Sequence, residues 1–200
     1  IIRIELRFFE TLGVEMRGIV HDQLGTLRDA VQNHLLQMLA YITAPESRAE
    51  MLELLPVLTP AQIAADTFRA QYKGYLEISG VAPNSQTETY CKIITTGVPG
   101  WEEVEVIFEA GKRLANSRKE AVLTLTDGTT VTLGERPNKI SEYETLLLAA
   151  LRDDHTPFPS LREVRAQWRF VDPILEQWAQ GSPALTIYLP GTSPNLDKPA

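Results

Sequence analysis

The sequence predicts an α+β fold, a mainly antiparallel sheet with helices packed on one face, and three stretches carry that reading. In the opening "IIRIELRFF", Ile2, Ile4, Leu6 and Phe8 alternate with Arg3, Glu5 and Arg7. A period of two is that of a strand whose sheet has one covered face. From about Gln23 to Ile42, apolar residues recur at 24, 27, 31, 35 and 38, which is helical spacing. In "AVLTLTDGTTVTLG", Asp127-Gly128 stands between two β-branched runs, a strong hairpin signal.

The other elements follow in chain order. Glu10 stands at the end of the first strand, and "TLGVEMRG" reads as a loop. Pro45 closes the long helix, because a proline pushes the residue before it out of the helical region. "SRAEMLELLPVL" and "TPAQIAADTFRAQY" read as two shorter helices, the second opened by Thr59 as N-cap and Pro60 in its first turn. "KGYLEISGVAPNSQ" is a long connection. "TETYCKIIT" gives a second strand, and "WEEVEVIFEAG", with Val104, Val106 and Phe108 in alternation, a third. "SEYETLLLAALR" and "SLREVRAQWRFVDPILEQWAQ" read as helices with capping boxes, Ser141 with Glu144 and Ser160 with Glu163. The closing "PALTIYLPGTSPNLDKPA" has no pattern. One domain over residues 1–190 with a tail at 191–200 is expected, without internal repeats.

Composition removes several function classes. A net charge of -7 weighs against nucleic acid or an anionic membrane as main partner. Cys91 is the one cysteine, so neither an internal disulfide nor a zinc cluster is available, and a reducing, cytoplasmic setting is the default. No run approaches 18 apolar residues, and no secretory leader opens the chain. His21 and His155 fall in loops without a matching ligand set, so no metal is expected.

His34 is the first candidate for chemistry, at the margin of the long helix's buried face. It reads either as a partly buried histidine bonded to a neighbouring backbone group or as a general acid/base. Asp29 lies five residues earlier. On an ideal α-helix such residues are about 140° apart around the axis. A π-bulge would bring them into line, and the sequence leaves both geometries open. Glu10 and Glu15 flank the preceding loop; a carboxylate at a strand end suits sugar hydroxyls or is simply solvated. "EAGKRLANSRKE" gathers Lys112, Arg113, Arg118 and Lys119 around a glycine, either an anion site or a solvated face. No glycine-rich nucleotide loop of either familiar kind is present. Trp101, Trp168 and Trp178 read as packing residues.

"ETLGVEMRG" followed by "DQLGTLRDAVQNHLLQMLA" closely resembles the start of the large C-terminal domain of glucose-6-phosphate dehydrogenase. Glu10, Gly13, Glu15, Arg17, Gly18, Asp22, Gly25, Arg28, Asp29, Gln32, Asn33 and His34 fall in step with the family pattern without a gap. The likeness continues through "QYKGYLEISGVAPNSQTETY", "AGKRL", "SEYETLLLAALRDD", "WRFVDPILEQW" and "YLPGT". The resemblance implies oxidation of glucose 6-phosphate to 6-phosphogluconolactone with NADP, the first step of the oxidative pentose phosphate pathway. It implies His34 as general base, and Glu10, Asp29, Lys112 and Arg118 as substrate-binding residues. It further implies a homo-oligomer formed through the sheet.

The departures from the family carry expectations too. The coenzyme domain is absent, and so is the Arg-Ile-Asp-His-Tyr-Leu-Gly-Lys-Glu segment. NADP is therefore expected on a missing N-terminal domain, and this chain alone is expected to be inactive. Between "AVLTLTDGTTVTLG" and "SEYETLLL" the family has further strands, so a smaller sheet is expected. Glu109 stands where relatives often carry Arg. The rival reading is a non-catalytic sugar-phosphate-binding or oligomerisation module.

Overall fold

Alternation in the first strand sets the architecture. In the computed structural model, which describes residues 1–134 and 142–194, β1 (Arg3–Phe9) sends Ile4 and Leu6 into the core, both fully buried, and leaves Arg3, Glu5 and Arg7 on the other side. β1 is an interior strand, between β5 and β4, of a seven-stranded sheet with β2 (Thr67–Tyr72), β3 (Tyr90–Thr95), β4 (Glu105–Gly111), β5 (Arg118–Thr124), β6 (Thr130–Gly134) and β7 (Thr186–Tyr188). The strand order is β6-β5-β1-β4-β3-β2-β7. Pairing is mainly antiparallel, with β1–β4 and β2–β7 parallel.

The long helical stretch is three elements end to end: α1 (Gly18–Thr26), a π-helix (Leu27–Leu35) and α2 (Leu36–Thr43). Leu27, Val31, Leu35, Leu36 and Leu39 are fully buried. They pack with α3 (Arg48–Leu54), α4 (Pro60–Asp66) and α6 (Leu161–Ala179) over the apolar sheet face, in one cluster that includes Val106, Phe108 and Phe170. α5 (Glu142–Leu151) precedes α6.

Local signals did their work where they were strong. Thr59 caps α4 in a capping box with Gln62, and Ser160 caps α6 with Glu163. Ser141 lies outside the described residues, so its pairing with Glu144 does too. The Asp127-Gly128 turn joins β5 to β6, with Gly128 at φ 83° and Leu125 donating to the Thr129 carbonyl at 2.8 Å. Trp178 is buried and donates to Thr67 Oγ1, Trp101 donates to the Thr43 carbonyl, and Trp168 is half-buried.

Three expectations are corrected. "TFRAQY" is strand β2, not the end of a helix: α4 stops at Asp66, where Thr67 Oγ1 takes up the Ile63 carbonyl and the next residues pair with β3. "TIY", read as patternless, is β7, added in parallel to β2. "RGIVHD" is not loop: a short turn over Glu15–Arg17 runs into α1, which therefore holds His21. Beyond β7, Gly191 donates to the Arg113 carbonyl at 2.7 Å, and residues 195–200 lie outside the described ones. Among the described residues no helix is long and apolar enough to cross a membrane.

Candidate functional site

The core rows of two neighbouring strands continue into the site. On β1, Ile4, Leu6 and Phe8 lead to Glu10; on β4, Val106, Phe108 and Ala110 lead to Lys112. Because side chains alternate along a strand, both end residues emerge on the helix-covered side. Parallel pairing of β1 with β4 places them side by side, with Glu10 donating its amide to the Gly111 carbonyl at 2.9 Å.

Lys112 is the centre of the cluster. Its side chain is 3% exposed, and its ammonium lies 2.5 Å from Glu10 Oε2 and 3.0 Å from Asp29 Oδ2. An ammonium buried this far needs such partners, since an unpaired buried charge is costly. The two carboxylates are 32% and 30% exposed, so each reaches solvent while gripping the lysine. Backbone anchoring is equally firm. The Lys112 amide donates to the Thr89 carbonyl at 2.9 Å, and its own carbonyl accepts from the Tyr188 hydroxyl. Carboxylates accept hydrogen bonds and an ammonium donates them, a combination suited to a polyhydroxylated ligand.

The π-helix supplies Asp29 and His34. Its i→i+5 bonding is visible at its end, where the Leu36 amide donates to the Val31 carbonyl. Asp29 and His34, five apart, are thereby drawn towards one face. The His34 ring is stacked on Phe8, centroids 5.3 Å apart at 15°, and the residue is exposed. Lys119 stands directly opposite Phe8 in the β1–β5 register, its ammonium 5.1 Å from the same ring. The site thus gathers Glu10, Asp29, Lys112, His34 and Lys119.

Arg118 is not brought to it. It pairs with Phe9 and points to the far side of the sheet, where it lies 3.5 Å from Glu120. There, with Arg7, Phe9, Glu109, Asn116 and Ser193, it lines a separate cleft of about 200 Å³. Strand alternation is the cause: Lys119 shares the helix side with buried Ala121, and Arg118 does not. The sequence reading placed Lys119 among four candidate cations, and that same alternation is the signal that separates it from Arg118. Glu15 is held outside the cluster by Arg113, at 3.1 Å.

Two buried groups support the helix that carries the site. Glu88 Oε1 accepts from the Leu27 amide at 2.8 Å, capping the π-helix, while burial pushes its carboxyl up. Gly25, at φ 73°, makes room, since a Cβ there would come within 2.5 Å of Glu88 Oε1. His21 is 5% exposed, meets Tyr75 edge-on, and has no hydrogen-bond partner at either ring nitrogen. Burial first, then the Lys112 ammonium, lowers its pKa from 6.5 to about 4, so the ring is neutral at pH 7. Exposed His155 lies 3.1 Å from Asp153. Among the described residues no group of His, Cys, Asp or Glu is arranged to hold a metal.

Comparison with known proteins gives a consistent answer. The family model described as "Glucose-6-phosphate dehydrogenase, C-terminal domain" matches residues 1–140 and 125–196. The chain is similar to glucose-6-phosphate 1-dehydrogenase of Helicobacter pylori, 33% identical over 215 residues, covering 92% of this chain and 51% of the relative. The enzyme of Gluconobacter oxydans is 30% identical over 257 residues, covering 94% and 52%. Both aligned stretches exceed the 200 residues of this chain, so the relatives carry residues that it lacks. A crystal structure of glucose-6-phosphate 1-dehydrogenase from Mycobacterium avium superposes with a TM-score of 0.76 at 27% identity, covering 96% of this chain and 52% of that one. A glucose-6-phosphate dehydrogenase in complex with its substrate glucose-6-phosphate shares the fold, at a TM-score of 0.80 and 22% identity, covering 98% and 53%. The chain spans about half the length of the curated relatives it matches.

Proposed function

We propose, from the premise that this chain belongs to the glucose-6-phosphate dehydrogenase family through its C-terminal domain, that it supplies the sugar-binding and proton-accepting residues of such an enzyme. The observation that carries this reading is the Glu10–Lys112–Asp29 cluster with His34 one π-helical turn beyond Asp29. The reaction is the oxidation of glucose 6-phosphate to its lactone with NADP.

Oxidation at C1 removes a hydroxyl proton and a hydride. His34, exposed at the cluster's edge, takes the proton as general base. Glu10 and Asp29 accept hydrogen bonds from sugar hydroxyls with the oxygens not committed to Lys112. Lys112 fixes both carboxylates in place. Lys119, on the same side of the sheet, offers a cation to the phosphate. Binding energy at the non-reacting phosphate orients the sugar for the step at C1. Arg118, on the opposite side, takes no part in this reading.

In this reading NADP is held by a coenzyme domain outside these residues. The sequence has no glycine-rich turn to cradle a dinucleotide, and no hydride step is assigned to this chain. Its share of the chemistry is the sugar and the proton.

The test is glucose 6-phosphate-dependent reduction of NADP by the full-length protein and its His34→Asn variant. Loss of a general base lowers kcat by about 10²–10⁴ with the sugar-phosphate KM within a few-fold. A variant that keeps its full kcat would remove His34 from this role.

A further inference from the structure

The spacing that aligns Asp29 with His34 occurs a second time, on the side of the helix turned towards α6. Gln32 and Gln37 are also five residues apart, and both meet one side chain, Gln167 of α6. Gln167 Nε2 donates to Gln37 Oε1 at 2.8 Å, and Gln167 Oε1 accepts from Gln32 Nε2 at 3.5 Å, the long end of the range. The ladder continues outward: Gln37 Nε2 donates to Glu163 Oε1 at 2.9 Å, and Arg48 Nε to the same oxygen at 2.7 Å. Gln167 is 2% exposed, Glu163 3% and Gln32 7%. Water offers these groups little alternative, so each depends on its partner.

Geometry makes this arrangement selective. In an α-helical register Gln32 and Gln37 would lie about 140° apart around the axis. A single buried side chain could not then serve both. Gln32 stands in the π-helix and Gln37 in the first turn of α2, so the pair spans the junction closed by the Leu36–Val31 bond, and there Gln167 bridges them. We propose that Gln167 is a positioning residue: by tying Gln32 to Gln37 it locks the π register of Leu27–Leu35, and so holds Asp29 and His34 on the same face. The lock itself rests only on the helix geometry. Its consequence for catalysis rests on the function proposed above.

Crystal structures of the full-length protein without ligand test the lock, using Gln167→Leu, and Gln167→Asn should the leucine variant fail to fold. The readout is the acceptor of the Leu36 amide. The lock predicts a switch from the Val31 carbonyl to the Gln32 carbonyl, with the His34 ring displaced from Phe8. Phe170→Leu is the control, a weakened packing residue on the same helix with the ladder intact. It should keep the Val31 bond. Retention of that bond in the Gln167 variants, or its loss in Phe170→Leu, overturns the proposal. In solution, kcat for glucose 6-phosphate should fall at least tenfold in Gln167→Leu while Phe170→Leu stays within twofold. Because the register is read without substrate, an unaltered protein that fails to use glucose 6-phosphate would sink the proposed function and leave the lock standing.

Discussion

The two faces of the sheet use charge in opposite ways. On the open face Arg3 meets Glu105 at 2.6 Å, and Arg7 meets Glu5 at 2.9 Å and Glu120 at 3.3 Å. These pairs are partly exposed, and such pairs are each worth about 0–1 kcal/mol. On the covered face one ammonium, Lys112, is enclosed by two carboxylates at the point where the apolar rows of β1 and β4 run out. The first pattern keeps a surface solvated. The second fixes three charged groups in one geometry. A charge is therefore informative here by the face it occupies, and Arg118 and Lys119, adjacent in sequence, fall on different sides of that division.

Removing the enclosed charge tests the division most severely. Lys112→Met leaves Glu10 and Asp29 facing each other without the ammonium between them. Truncating one partner of a buried charge set costs about 2–5 kcal/mol, so kcat/KM for glucose 6-phosphate should drop by roughly thirtyfold or more. An unchanged kcat/KM would reduce the cluster to a structural ion pair.

Adjacent charges give a sharper comparison with a smaller effect. Lys119→Ala should weaken glucose 6-phosphate binding by about tenfold, the worth of one charge-assisted hydrogen bond. Arg118→Ala should change it by less than about twofold. Calorimetric titration of both variants decides, and the reverse order would move the sugar phosphate to the open face.

The smallest effect at neutral pH comes from His21. Its folded pKa of about 4 lies below the ordinary 6.5, so the unfolded chain takes up the proton first. The contribution to stability is complete above pH 6.5 and is lost as pH falls towards 4. The full loss is about 3 kcal/mol from a shift of this size. His21→Phe should flatten that part of the pH–stability profile in urea melts between pH 4 and 7. A slope that survives the substitution would place its source elsewhere.

Much of the frame was legible from local chemistry. Alternation identified β1, Asp-Gly the β5–β6 hairpin, and Thr59 and Ser160 the starts of α4 and α6. What escaped depends on partners distant in sequence. β2 follows α4 without a breaker, and only pairing with β3 and β7 makes "TFRAQY" a strand. β7 is three residues long and exists through β2 alone. In the site, Glu10, Asp29 and His34 could be singled out, but their alignment needed the π register, which the ladder from α6 supports. Lys119 stood out only as one of four cations in "EAGKRLANSRKE"; separating it from Arg118 depends on the phase of β5, which buried Ala121 sets.

A crystal structure of the full-length protein with glucose 6-phosphate bound would test the central claim most directly, because the two faces offer it two sets of cations. The sugar should lie on the covered face, its hydroxyls within hydrogen-bond distance of Glu10 and Asp29 and its C1 hydroxyl at the His34 ring. Glucose 6-phosphate seated instead in the cleft between Arg7 and Arg118 would contradict it.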